Sequence, residues 1–374
     1  MTAAAIDPQM AAQFEAQAGF PLAEHLILLG VMGSRSQNTA LTDMDSLTPP
    51  DLDVIGVVMP PARYVVGLGR WESFRYQSEE LDATLYSFEK TVSMCLKGNP
   101  NIAPLLWLRE QDYMVRTPEG AALVNARDDF SSRRTATAFV GFATGQMHRM
   151  VALTPQMLTD YADAVTVISG QVSIADVMAC PPSELAAKVA AWGVPREAVD
   201  TARQLHKAHG LGAVGDKRKA IVATHGFDVK NASHTVRSLR MVHEFLQTGR
   251  MQVYRTTDAA ELRAIKSGQW SIEQVAAEVE RMRGLVTEVT PTAVVPEHPN
   301  LAAVEALVMR MQMHRLGVPG MLSEAPVVAA PAVAEPPPPA PVIPVRVPDP
   351  APWVPVPPTA AYPRRTSPKR GIGR

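Results

Sequence analysis

Gly33-Ser34, the pair Asp51 and Asp53, and Asp82 are the first residues whose types and spacing could do chemistry. Asp51 and Asp53 open the apolar run "DLDVIGVVM". In a strand, alternate side chains share a face, with about 6.6 Å between their backbones. Two carboxylates so placed can converge on a pair of divalent ions. Ions roughly 3.5–4 Å apart can activate both the attacking and the leaving oxygen of a phosphoryl transfer. Magnesium prefers oxygen ligands and keeps several waters, so it is the expected metal, as two ions, with manganese as the substitute. Gly33 lets a backbone approach a ligand closely. Ser34 adds a hydroxyl and an amide at the start of a turn or helix, an end suited to phosphate oxygens. Asp82 falls in the next expected strand, "LDATLYS", and neighbouring strands lie about 4.8 Å apart, so it can reach the same ions. A bare Asp-x-Asp is usually only a polar strand entrance. The specific signal is the combination of glycine-serine turn, Asp-x-Asp and a lone aspartate one strand later.

A second constellation lies in "DVKNASHTVRSLRM". Lys230, His234 and Arg237 stand at i, i+4 and i+7 and share one helical face. Such a stripe suits a triphosphate or a nucleic-acid backbone, against the plainer reading of a solvated helix face. Arg240 is expected near the cationic edge, with Leu239, Val242 and Leu246 forming an apolar face elsewhere. Asn99, in "KGNPN", is a weaker candidate whose plain reading is a helix-ending turn. Two other patterns are set aside. "GLGAVG", Gly210 to Gly215, fits a dinucleotide fingerprint in letters but follows a helix rather than a strand, so it reads as a helix stop and loop. His206 and His209 have helical spacing but no further ligand nearby, so they read as a surface pair.

These groups need elements to hold them. "HLILLGVM", "DLDVIGVVM" and "LDATLYS" read as strands. "FEKTVSMCLKG" reads as a helix with Ser87 as N-cap and Gly98 as its stop. From about residue 130 the apolar residues recur at three- and four-residue steps, so that half is helical. The fold class is therefore α+β. It comprises a small mixed-sheet catalytic domain over residues 1–125, a helical binding domain over 126–290, a helical extension over 291–324 and a tail over 325–374. Sixteen of the 33 prolines lie from Pro326 to Pro368. Proline fixes φ and lacks an amide donor, so a disordered or polyproline-like tail is expected. It ends in the basic "PRRTSPKRGIGR" and is a candidate tether for nucleic acid or for a protein partner.

Whole-chain charge is −1, which by itself predicts no partner. That neutrality hides a division. Residues 1–125 hold 15 acidic and 8 basic residues, a net of −7, whereas residues 203–255 hold 10 basic and 3 acidic, a net of +7. An acidic side to hold metal cations and a basic side to hold phosphates fit one site. Two distant cysteines, Cys95 and Cys180, give neither a disulfide framework nor metal spacing, so a reducing compartment is expected. There is no signal-peptide pattern and no apolar run of roughly 20 residues, so a cytoplasmic protein without membrane contact is expected.

The pattern resembles the polymerase β-type nucleotidyltransferase superfamily, and within it the predicted nucleotidyltransferases grouped with RNA-repair systems. The likeness extends beyond the carboxylates, to "DLDVIGVVMPPARYVVGL", "YSFEKTVSMCLKGNPNIAPLLWL", "GFATGQMHRM" and "HGFDVKNASHTVRSLRMVHEFLQTGRMQVYR", and covers roughly residues 25 to 285. It implies a magnesium-dependent transfer of a nucleoside monophosphate from a nucleoside triphosphate to a hydroxyl, with an RNA 3′ end as acceptor. It further implies Asp51, Asp53 and Asp82 at the metals and Gly33 and Ser34 on the β/γ-phosphates. Lys230, His234 and Arg237 would bind nucleotide. The loop before Asp51 is longer than usual for the superfamily and contains a rival pair, Asp43 and Asp45. That pair leads into a Pro-Pro break rather than a strand, which favours Asp51 and Asp53. Two other readings stay open: the same chemistry on a protein or a small molecule, and a catalytically silent nucleotide-binding scaffold.

Overall fold

Strand β1 (Leu26–Val31) is the first rigid element under the site, and β2 (Leu52–Val58), β3 (Ser73–Gln77), β4 (Leu81–Ser87) and β5 (Tyr113–Arg116) complete one sheet in the order β3-β4-β2-β1-β5. The computed structural model describes residues 6–41, 52–209 and 215–318. Asp51, the rival pair Asp43 and Asp45, most of the "GLGAVG" run and the proline-rich stretch lie outside the described residues. The sheet is mixed. β1 runs antiparallel to β2 and β5, β3 antiparallel to β4, and β2 parallel to β4. The parallel pair arises because the chain leaves β2, forms β3 at the sheet edge and hairpins back to insert β4 between them. The α+β expectation holds, as do the three expected strands. β3 and β5 were not anticipated. In β3, Phe74 and Tyr76 are buried while Ser73, Arg75 and Gln77 are exposed, the alternation of an edge strand packed on one face.

Helix α1 (Pro8–Ala18) covers one face of the sheet. Its Phe14 meets Phe20, Trp71 and Phe74 edge to face, with ring centroids 5.1–5.5 Å apart. Edge-to-face pairs of this kind add about 0.5–1.5 kcal/mol beyond their burial. The opposite face, carrying Leu28 and Val57, packs on α2 (Phe88–Leu96) and on helical elements from the second half of the chain. α2 begins at Ser87, whose hydroxyl accepts from the Lys90 amide at 3.1 Å, and stops before Gly98. Gly98 has φ +61°, and a Cβ there would lie 2.6 Å from the Thr135 backbone. No other residue type fits that crossing, which docks α2 on α3 (Arg134–Ala152).

At the centre of the helical half is α4 (Val229–Thr248). Asp228 caps it by accepting from the Asn231 amide at 2.9 Å, and Gly249 ends it in the left-handed conformation. Val236, Leu239, Val242, Phe245 and Leu246 are buried, so the apolar faces expected of this helix are present. They pack against α3, α5 (Ala259–Lys266) and α6 (Ile272–Val289). Phe245 and Leu246 join the same core as Leu28 and Val57, so one apolar core runs from the sheet into α4. A separate core forms among the helices between Pro155 and His225. α7 (Leu301–Arg315) lies against the sheet side, where Gln312 donates to Glu89.

Candidate active site

β2 and β4 are paired so that Asp53 and Asp82 are direct register partners. In a parallel pair, register partners point to the same face, and strands lie about 4.8 Å apart. Asp53, Ile55 and Val57 alternate onto the face that meets the helical half, and Asp82, Thr84 and Tyr86 accompany them. The two carboxylates therefore stand side by side at the start of their strands, at the mouth of a cavity of about 320 Å³. Gly33, Ser34, Lys230, His234 and Arg237 line the same cavity. Every described member of the expected metal-binding and nucleotide-binding set gathers here.

Gly33 is required twice over. Its φ is +67°, and a Cβ on it would sit 2.0 Å from Asp53 Oδ2. The turn is otherwise tied down by its backbone. Met32 N–H donates to the Asp53 carbonyl at 2.8 Å, and Thr39 N–H to the Ser34 carbonyl at 2.9 Å. The absent side chain at Gly33 thus lets the Asp53 carboxylate lie against bare backbone at the cavity wall. Asp82 is held on its other side by Arg75 of β3, Nη2 to Oδ2 at 2.9 Å, and that bond raises the Arg75 pKa.

The α4 wall differs from a simple cationic stripe. Lys230 is exposed, while Arg237 is 2% exposed. Arg237 Nη2 donates to His234 Nδ1 at 3.2 Å, and Nη1 meets the sulfur of Met241 at 3.8 Å. Because Nδ1 accepts, the ring proton resides on Nε2. Both that Nε2 and Arg237 Nε are buried without a hydrogen-bond partner. Burial, reinforced by the charges of Arg237 and Lys230, pushes the His234 pKa down to about 3. His234 is therefore neutral, which corrects its place in a cationic stripe. Burial, with the charge of Arg255 adding and Asp258 opposing, brings Arg237 down to about 9.

Arg240 is a second correction. It turns away from the cavity and pairs with Glu278 at 2.7 Å, Glu261 at 2.5 Å and Asp258 at 3.4 Å, bracing α4 against α5 and α6. Asn99 forms the turn after α2. Its side chain accepts from the Asn101 amide at 2.9 Å, and Asn101 lines the cavity instead, with Pro100 and Pro104. Lys266 and Arg75 also reach the cavity and were not anticipated. Neither has a spacing signal, since each arrives from a different element. Elsewhere, His206 Nδ1 meets the Tyr161 hydroxyl at 3.2 Å, and buried Cys95 has its thiol pushed up to about 12 by desolvation.

Whether the residues suit a divalent cation can be judged from the donors. Asp53 and Asp82 supply hard oxygen ligands in register, and Gly33 leaves room beside them, a set that matches magnesium rather than zinc. Among the described residues no three His, Cys, Asp or Glu side chains gather as a complete metal site. Asp51, the third expected ligand, lies outside them.

The glycine-serine turn, the in-register aspartates and the α4 residues Lys230, His234 and Arg237 thus share one cavity, the arrangement expected of a nucleotidyltransferase of the polymerase β type. Comparison with protein families narrows that class. The chain belongs to the RNA repair pathway DNA polymerase beta family, whose model matches residues 12–265. No curated protein and no solved structure matches the chain.

Proposed function

We propose that the protein transfers a nucleoside monophosphate from a nucleoside triphosphate to an RNA 3′ hydroxyl, with magnesium as its metal. The observation that carries this reading is the pair of unpartnered donors on α4. A buried guanidinium normally has a carboxylate, as Arg255 has with Glu244 and Asp258. Arg237 has none among its hydrogen-bond partners. An uncompensated buried cation and an unsatisfied N–H together cost several kcal/mol. An anion entering the cavity recovers that cost, and among the described residues the cavity also holds a pair of aspartates suited to phosphoryl transfer.

Arg237 Nε–H and His234 Nε2–H would donate to phosphate oxygens, Lys230 would add charge from the rim, and the Gly33-Ser34 turn would hold the chain from the sheet side. The acceptor oxygen attacks the α-phosphorus as the bond to the bridging oxygen breaks, and pyrophosphate leaves with that electron pair. The acceptor's proton would pass to Asp82 as general base. Magnesium, when bound by Asp53, Asp82 and Asp51, would lower the acceptor's pKa and neutralise phosphate charge. No helix among the described residues is long and apolar enough to cross a membrane.

Incubation with each α-labelled nucleoside triphosphate and a mixed pool of RNA, DNA and protein tests the reading. Label at RNA 3′ ends, lost in Asp53→Ala, is the expected result. Label on protein or a small molecule would move the acceptor, and no transfer from any nucleotide would leave a binding scaffold.

A further inference from the structure

The segment following the Gly33-Ser34 turn is fastened to the helical half at three consecutive residues. Asn38 has φ +58°, the left-handed region, and is the one described non-glycine residue with positive φ. Such a conformation persists only where the surroundings over-determine it. Its Nδ2 donates to the Arg255 carbonyl at 2.8 Å, and its own carbonyl accepts from Arg263 Nη1 at 2.8 Å. On either side, the Gln37 carbonyl accepts from the Arg255 amide at 3.2 Å and the Thr39 carbonyl accepts from Lys266 Nζ at 3.2 Å. The Arg255 guanidinium in turn grips both carboxylate oxygens of Glu244 on α4, each at 2.6 Å. A continuous path of short polar contacts thus joins the glycine-serine turn on the sheet to the helix that carries Lys230, His234 and Arg237. Neither Asn38 nor Arg263 lines the cavity.

We propose that Asn38 and Arg263 are positioning residues, which fix the span between the Gly33-Ser34 turn and the α4 donors so that one polyphosphate chain is gripped from both sides. The inference rests on the reading of the cavity as a nucleoside triphosphate site. The span matters because the two walls come from parts of the chain about two hundred residues apart, and α4 alone offers donors on one side only. A long anion needs both walls at the right distance, whereas a single phosphate can be held by α4 alone.

The test uses the full chain and titration calorimetry with three ligands: a non-hydrolysable nucleoside triphosphate with magnesium, tripolyphosphate, and orthophosphate. Arg263→Ala removes the bond to the Asn38 carbonyl. Asn38→Gly keeps the left-handed backbone while removing the contact to Arg255, and so carries the test if Arg263→Ala lowers the melting temperature too far. Arg263→Ala should weaken the two long ligands about tenfold, the effect of one charge-assisted contact, and Asn38→Gly, which loses a neutral bond, about three- to tenfold. Orthophosphate binding should stay at the wild-type level, and Arg263→Lys should recover most of the loss. In turnover, KM for the nucleotide should rise while kcat changes little. Wild-type affinity for the long ligands in both folded variants overturns the proposal, as does an equal loss for orthophosphate. A wild-type protein that binds none of the three overturns the nucleotide reading itself.

Discussion

Arg237 and His234 show how far residue type and spacing can lead. Their i, i+4, i+7 relation to Lys230 places all three on one face, and that was legible. Their state was not, because spacing reveals a face and not what packs over it. Depth of burial is what makes His234 neutral and leaves Arg237 short of an anion. Replacing a buried unpaired charge with an apolar residue of similar size is often stabilising by about 1–4 kcal/mol. Arg237→Met should therefore raise the melting temperature of the ligand-free protein while weakening nucleotide binding at least tenfold. Thermal melts and calorimetry on the same sample check both halves. His234 gives a sign-defined pH dependence. Its folded pKa, near 3, lies below the unfolded value of about 6.5, so between these limits the unfolded chain binds more protons. Stability contributed by the neutral ring is thus complete above pH 6.5 and is lost as pH falls towards 3, with a slope of up to about 1.4 kcal/mol per pH unit. His234→Asn should flatten that part of a denaturation series run from pH 7 to 4. Gly33 is the residue most tightly specified by its surroundings. Gly33→Ala forces a methyl to within 2.0 Å of Asp53 Oδ2 in a left-handed backbone. It should abolish transfer and cost about 1–3 kcal/mol of stability, measurable by urea unfolding.

Elements explain why some of these residues were found and others missed. β1, β2 and β4 announce themselves as apolar runs, and the register of β2 on β4 then brings Asp53 beside Asp82 without further information. β3 alternates clearly but is only five residues long, and β5 is four. Their importance comes from closing the sheet, and Arg75 reaches Asp82 only because β3 lies next to β4. Arg240 illustrates the opposite error. It stands three residues beyond Arg237, about 60° further round the helix, and carboxylates distant in sequence on α5 and α6 draw its long side chain away from the cavity. Its contacts are structural, and this is testable. Arg240→Ala removes one of the two guanidinium partners of Glu278, whose side chain is 10% exposed, and leaves Arg281 on it at 2.7 Å. Breaking a buried pair from one side costs about 3–5 kcal/mol when the other charge is left alone, and Arg281 on Glu278 and Arg255 on Asp258 hold the loss below that. A measurable drop in unfolding free energy with nucleotide affinity unchanged below the melting transition is the expected outcome. A tenfold affinity loss in a stably folded variant would return Arg240 to the site.

At the scale of the whole molecule, the charge division seen in the sequence has a structural counterpart. The acidic first part supplies Asp53 and Asp82, and the basic segment supplies Lys230 and Arg237, to one cavity. That juxtaposition follows from the shared core between sheet and α4, which composition alone could not reveal. The same logic of separated charge extends to the last fifty residues, which lie outside the described part and are known here by sequence alone. They carry sixteen prolines and the basic end "PRRTSPKRGIGR". Proline lacks an amide donor and fixes φ, so removal of this stretch should not disturb catalysis. Its basic end can neutralise phosphates, and each phosphate contact on single-stranded nucleic acid steepens the salt dependence of binding by roughly 0.7 in log–log slope. A chain ending at Ser323 should therefore turn over a short acceptor at the full rate and bind long RNA more weakly at low salt. The gap should close as salt rises, because released counterions no longer favour the longer chain. Affinity measured on a long RNA from about 50 to 300 mM salt decides the matter. Parallel lines of equal slope for the two chains would remove RNA from the tail's role and leave the prolines as a docking segment for a protein.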